Sequence, residues 1–187
     1  MTLRNITCAL TLCLLTLSGQ AVGKTEVPPY KNKSLSIEKR VDDLMGRMTL
    51  HEKVLQLQNR GAGRLDEIDR IFNGESYGCT HEMGTTAAEC AAMYKELQQY
   101  MLTKTRLGIP IITSAEGIQG ILQNNCTLFP HALAQGSTFN PALIQRMTEA
   151  AGEEAKVIGI HQILSPVLDI ARELRWGRVE ETFGEDP

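Results

Sequence analysis

Gly108-Ile109-Pro110-Ile111-Ile112-Thr113 is a short run, rich in β-branched residues and free of charge, set between two stretches with helical spacing. It reads as a buried strand. The stretch before it opens with Thr86-Ala87-Ala88-Glu89. A threonine hydroxyl that accepts from the third amide of a turn, with a glutamate reaching back, is a capping box. The helix behind it runs to about Lys104 and places Ala87, Ala91, Tyr94, Leu97 and Met101 on one stripe. The stretch after the strand opens with Asn140-Pro141, a cap followed by proline at the first helical position. That helix runs to about Val157 and ends near Gly159. Ile160 to Leu168 then reads as a second buried strand, broken by Pro166. Helix, strand, helix, strand implies parallel strands joined by crossover helices, an α/β fold. Two such strands do not close a sheet. The final Gly184-Glu185-Asp186-Pro187 adds no helix or strand, so the expectation is the front part of a larger α/β domain.

Upstream, Ile37, Val41, Leu44, Met45 and Met48 recur at helical spacing. Thr49-Leu50-His51-Glu52 is another capping box, opening a short helix through Leu57, and Gly61-Ala62-Gly63 ends that run. Lys24 to Ser36 carries Pro28-Pro29 and no periodicity, and reads as a flexible lead-in. Residues 1–23 read as a secretory signal peptide. Arg4 is the positive start, Ile6 to Leu17 is apolar but too short to span a bilayer, and Ala21-Val22-Gly23 offers small residues before a cut at Lys24. Neither Cys8 nor Cys13 follows the small residue that a lipid anchor needs, so no membrane anchor is evident and the expected location is secreted or periplasmic. The domain reading is therefore 1–23 signal peptide, 24–36 lead-in, and 37–187 the front of the α/β domain.

The whole chain has 187 residues, a formal charge of −3, 42% hydrophobic and 22% charged residues. That is ordinary globular composition, and it excludes wholesale disorder or a collagen-like architecture. No basic excess marks a nucleic-acid partner, and 5% aromatic residues are too few for a base-stacking platform. Cys79, Cys90 and Cys126 make at most one internal bridge, so stability must come from a core.

In parallel α/β folds ligand groups lie just past the C-terminal ends of strands. Two acids fall there: Glu116, just beyond Thr113, and Asp169, right after Leu168. Asp169 leads into Arg172, Glu173, Arg175, Trp176, Gly177, Arg178, Glu180 and Glu181. Such a segment is either a solvated loop of self-paired charges or, given its embedded tryptophan, a donor fork for a polyol. Gly61-Ala62-Gly63 has Asp66 where a dinucleotide loop needs glycine. His51-Glu52 and His81-Glu82 lack the second histidine of a zinc-protease helix, and no Gly-x-Ser-x-Gly elbow is present. His131 and His161 stand in apolar settings and read as packing residues. Asn32-Lys33-Ser34 and Asn125-Cys126-Thr127 match glycan acceptors.

Several blocks resemble family 3 glycoside hydrolases, in that family's order. Val41-Asp42-Asp43-Leu44-Met45-Gly46-Arg47-Met48-Thr49-Leu50-His51-Glu52-Lys53 is similar to its opening. Thr105-Arg106-Leu107-Gly108-Ile109-Pro110-Ile111 and Thr127-Leu128-Phe129-Pro130, followed by Phe139-Asn140-Pro141, continue the likeness. The most specific block is Leu164 to Arg172 followed by Arg175 to Pro187, which includes Arg175-Trp176-Gly177-Arg178 and Glu180-Glu181-Thr182-Phe183-Gly184-Glu185-Asp186-Pro187.

The resemblance implies the early part of a TIM-like (β/α)8 barrel, followed in family members by an α/β sandwich domain. It implies an exo-acting, retaining β-glycosidase working with two carboxylates on a β-linked oligosaccharide or aryl glycoside, without metal or organic cofactor. The family's nucleophile, its acid/base and its sugar-binding Lys-His pair all lie beyond Pro187, so no catalytic residue is expected in this chain. Two substrate-binding positions carry over: Glu116 in Ser114-Ala115-Glu116-Gly117-Ile118-Gln119-Gly120, holding the non-reducing-end hydroxyls, and Arg178, binding the same sugar. Glu181 and Asp169 are supporting residues. Glucosidase-like members mostly have Asp at the Glu116 position, whereas xylosidase-like members tend to have Glu. The extra methylene occupies space that a glucose 6-CH₂OH needs, so a β-xylosidase-like reading is favoured over a β-glucosidase-like one. Gln119 stands where many members have His. The alternatives are a catalytically dead carbohydrate-binding remnant and the hexosaminidase branch of the same family.

Overall fold

A computed structural model of the chain describes residues 27–81 and 86–186. The signal-peptide reading of residues 1–23 lies outside the described residues. The chain divides into two compact units, Met1–Gly46 and Arg47–Pro187. In the first, Pro29–Lys31 forms one 3-10 turn, and helix α1 (Ile37–Arg47) begins. The Tyr30 amide donates to Asp43 Oδ2 at 3.1 Å, and Arg40 Nε donates to the Tyr30 carbonyl at 3.0 Å. Asn32 Oδ1 accepts from both the amide and the hydroxyl of Ser34, an Asx-turn built from the glycan-acceptor triplet.

The second unit is the α/β body. After α2 (Leu50–Leu55) and α3 (Ile68–Phe72) come β1 (Cys79–His81), α4 (Ala87–Lys104), β2 (Ile112–Glu116), α5 (Ala132–Gly136), α6 (Pro141–Ile158) and β3 (Gln162–Leu164). The three strands are parallel in the order β1-β2-β3. β1 pairs with the front of β2, Cys79 opposite Ile112 through His81 opposite Ser114. β3 pairs with its back, Ser114 opposite Gln162 through Glu116 opposite Leu164. A progressive stagger of this kind is what the shear of a closed barrel requires. The fold is that of a TIM-like barrel portion, as the alternating pattern implies.

Local sequence explains the helix ends. Both capping boxes form: Thr49 with Glu52, and Thr86 with Glu89. The Asn140 side chain accepts from the Leu143 amide ahead of Pro141. α6 stops at Gly159, whose φ of 92° is a left-handed conformation that glycine adopts without strain. α4 buries Cys90, Met93, Tyr94, Leu97, Tyr100 and Met101, a wider face than the stripe read from sequence. It packs with α6 over Ile111, Ala115 and Ile121, and Phe72 meets Tyr77 edge-on at 5.6 Å between ring centroids.

The strands depart from the sequence reading. The first buried run was expected over Gly108–Thr113, but the ladder spans Ile112–Glu116. Gly108 has φ 62°, Pro110 has no N–H to donate, and the Gln98 side-chain amide takes both polar groups of the Ile111 backbone. Pairing with β1 therefore begins only when the Ile112 amide reaches the Gly78 carbonyl at 3.0 Å. The second run was expected over Ile160–Leu168 but is a strand only over Gln162–Leu164, stopping short of Pro166. β1, absent from the sequence reading, is a third strand. His161 does not pack in an apolar setting: it is exposed, and its Nδ1 accepts from the Thr113 amide at 3.2 Å, standing in for a ladder carbonyl. No disulfide joins Cys79, Cys90 or Cys126; Cys90 is fully buried, and burial pushes the Cys126 thiol up.

Candidate functional site

Parallel strands present their last residues at one rim, and this rim carries the chemistry. Glu116 is the last residue of β2, not a residue beyond the strand as read from sequence. His81 is the last residue of β1. Asp169 does not follow a strand directly; it lies in the loop well past Leu164. That loop is closed by the Ala171 amide donating to the Gly184 carbonyl at 3.0 Å. Inside it, Arg178 caps a 3-10 turn over Val179–Glu181. Thr182 anchors the turn: it is fully buried, its hydroxyl donates to the Val179 carbonyl, and it accepts from the Gly184 amide. Gly136 at the end of α5 lies so close to this loop that a Cβ there would sit 2.8 Å from the Phe183 carbonyl oxygen.

The turn holds Arg178 against Glu181. Nε and Nη2 of Arg178 both donate to Glu181 Oε2, Nε at 2.9 Å. The Glu181 carboxylate pushes the guanidinium pKa up, and Glu116 and Asp169 add to the shift. Arg178 in turn holds the Glu181 carboxyl below its ordinary range, with a smaller contribution from His131. The exposed His131 thus faces charge rather than an apolar setting. The structure therefore brings Glu116, Asp169, Arg178 and Glu181 into one electrostatic neighbourhood. The other charges of the segment pair among themselves: Arg175 forks onto Glu173 at 2.9 and 2.7 Å, which draws the Glu173 carboxyl down to about 2.

Sequence reasoning missed His81 and Ser114. The Ser114 hydroxyl donates to the Thr80 carbonyl at 3.0 Å and contacts His81 Nδ1 at 3.1 Å. His81 Nε2 stands 3.9 Å from Glu116 Oε1. Finding this in the sequence needed β1, and the signal for β1 is Gly78, where a Cβ would lie 1.9 Å from the Gln56 carbonyl oxygen. An apolar groove lined by Ile118, Phe129, Ile144, Met147, Ile163 and Phe183 runs beside the rim, and none of the four charged residues lines it. Among the described residues no group of three or more His, Cys, Asp or Glu is placed to hold a metal, and no helix is long and apolar enough to cross a membrane. Carboxylates that accept and a guanidinium that donates suit a polyhydroxylated ring.

Residues 49–187 match the family model described as glycosyl hydrolase family 3 N terminal domain. A putative β-xylosidase of Formosa agariphila is 34% identical over 177 residues, covering 87% of this chain and 23% of that protein. β-Glucosidase C of Emericella nidulans is 33% identical over 177 residues, covering 86% of this chain and 29% of its own. The chain thus spans about a quarter of the length of these curated relatives. Among solved structures, a β-glucosidase of Erythrobacter marinus superposes with a TM-score of 0.67 at 30% identity, over 85% of this chain and 22% of the other. A β-glucosidase of Listeria innocua in complex with glucose does so with 0.65 at 28% identity, over 81% and 22%.

Proposed function

Since the chain belongs to glycosyl hydrolase family 3, we propose that it forms the sugar-facing front of the barrel domain of an exported, exo-acting, retaining β-glycosidase. The substrate class is a β-linked oligosaccharide or aryl glycoside, with β-xylosides favoured over β-glucosides. The observation that carries this reading is the gathering of Glu116, Asp169 and Glu181 around the Arg178 guanidinium. In the proposed mechanism Glu116 accepts hydroxyl protons of the non-reducing-end sugar, and Arg178 donates to the same ring. Glu181 fixes the guanidinium, and Asp169 adds negative charge behind it. These groups hold the ring while a carboxylate nucleophile and an acid/base, supplied by chain outside residues 1–187, perform the double displacement. The 187-residue polypeptide alone is therefore expected to be inactive. The preference for a pentose follows from Glu116 itself, whose carboxylate reaches one methylene further than Asp into the space of a 6-CH₂OH arm.

The test is hydrolysis of 4-nitrophenyl β-D-xylopyranoside and β-D-glucopyranoside by the intact protein, with the first-released anomer followed by NMR. Release of the β-anomer is expected. Glu116→Ala is expected to lower kcat/KM about 10–150-fold, the worth of one charge-assisted hydrogen bond at ~1.5–3 kcal/mol. No hydrolysis of either glycoside, or release of the α-anomer, overturns the reading. Export is tested separately by N-terminal sequencing of the mature protein, expected to start at Lys24.

A further inference from the structure

We propose that His81 is a positioning residue for Glu116, fixing the carboxylate that the sugar meets; this rests on the reading of Glu116 as the acceptor of sugar hydroxyls. The arrangement is a relay across two adjacent strands. The Ser114 hydroxyl has one proton, and it is given to the Thr80 carbonyl at 3.0 Å. Ser114 Oγ is therefore the acceptor toward His81 Nδ1 at 3.1 Å, so Nδ1 carries a proton. That bond fixes the ring, and both ends of it are built on the β1–β2 ladder, where His81 pairs directly opposite Ser114. Ser114 is buried, so the anchor is shielded from water. The opposite edge of the ring then faces Glu116, with Nε2 at 3.9 Å from Oε1.

Glu116 needs such a neighbour. Its backbone is held at the very end of β2 opposite Leu164, but its side chain is 38% exposed and has three torsions to fix. A glutamate that must be ordered by the sugar lowers affinity by the entropy of that ordering. The imidazole edge restricts the carboxylate beforehand, so its effect falls on substrate binding rather than on the chemical step.

The variants separate the two ends of the ring. Asn reproduces the Nδ1 end of histidine and keeps the bond to Ser114, but does not reach Glu116. Gln reproduces the Nε2 end and reaches the carboxylate. In the intact protein, with 4-nitrophenyl β-D-xylopyranoside as substrate and xylose as competing product, His81→Asn is expected to raise KM and the xylose inhibition constant about tenfold while kcat changes little. His81→Gln is expected to recover most of that loss. Ser114→Ala, which frees the ring without touching Glu116, is expected to raise KM in the same direction. In a Glu116→Ala background, His81→Asn is expected to add nothing, the signature of one residue acting through the other.

If Glu116→Ala lowers kcat/KM but His81→Asn and Ser114→Ala both keep the parent KM, the inference is wrong and the reading of Glu116 stands. Additive effects of His81→Asn and Glu116→Ala, or a His81→Gln enzyme as poor as His81→Asn, also overturn it. If Glu116→Ala itself leaves kcat/KM unchanged, the reading of Glu116 fails first, and the inference with it.

Discussion

Removing the charge of Glu52 tests how the front of the barrel is tied together. Glu52 has two tasks. Its Oε2 accepts from the Thr49 amide at 2.8 Å, closing the capping box of α2. Its two oxygens also take the Arg106 fork, Nε at 2.8 Å and Nη2 at 2.5 Å, while Nη2 additionally donates to the Arg47 carbonyl at 2.9 Å. The pair thus pins α2 to the loop leading into β2. Arg106 is the main reason the Glu52 carboxyl is drawn from 4.5 to about 2. At 1.36 kcal/mol per pKa unit the ceiling on this contribution is about 3.4 kcal/mol. The Arg106 side chain is 55% exposed and that of Glu52 24%, so water screens the pair and the expected worth is nearer ~1 kcal/mol. Because the folded-state pKa is depressed, this stability is fully present above pH 4.5 and drains away as the pH falls toward 2. Glu52→Gln keeps an oxygen for the Thr49 amide and removes only the charge. Urea unfolding of the intact protein and the variant at pH 7, 5, 4 and 3 is the assay. The parent is expected to lead by ~1 kcal/mol at pH 7, and the lead to shrink through pH 4 and 3. A gap unchanged from pH 7 to pH 3 would refute the reasoning, because it would place the effect in packing rather than charge.

Three further outcomes are expected. Glu116→Asp shortens the arm by one methylene, so the ratio of kcat/KM for aryl β-glucoside over aryl β-xyloside should rise at least about tenfold; an unchanged ratio removes Glu116 from the specificity of the site. Gly136→Ala drives a methyl into the Phe183 carbonyl and should displace the turn carrying Arg178, raising KM for aryl xyloside and costing ~1–3 kcal/mol in urea unfolding; parent values for both would mean the loop gives way freely. Gly78→Ala meets the Gln56 backbone and should cost at least ~3 kcal/mol, read as a large fall in urea midpoint or loss of soluble protein.

Helices were more legible in the sequence than strands, for a physical reason. α4 and α6 announce their ends with groups whose hydrogen bonds are local: Thr86 with Glu89, Asn140 ahead of Pro141, and Gly159 in its left-handed turn. Strands are defined by partners elsewhere in the chain. The apolar half of Gly108–Thr113 looked most like a strand, yet Gln98 captured the Ile111 backbone, and the ladder moved to Ile112–Glu116. Thr113 and Ser114 are buried there because the carbonyls of Gly159 and Thr80 receive their hydroxyl protons. Cys79-Thr80-His81 has neither alternation nor an apolar run, so β1 left no periodic trace. The site divided along the same line. Glu116 and Arg178 were marked by resemblance, whereas His81 became visible only once β1 set it beside Ser114 and Glu116.

The state of the sulfur atoms bears on how this body is manufactured. Cys90 fills core volume as a small hydrophobe would, and burial keeps the Cys126 thiol protonated and slow to react. No crosslink between Cys79, Cys90 and Cys126 contributes to the fold. Among the described residues, then, maturation waits on neither an oxidase nor an isomerase. A bacterial cytoplasm held reducing and a compartment held oxidising offer this body the same folding route. Recombinant production needs no redox shuffling step, and a reductant added during purification leaves the arrangement of strands and rim untouched.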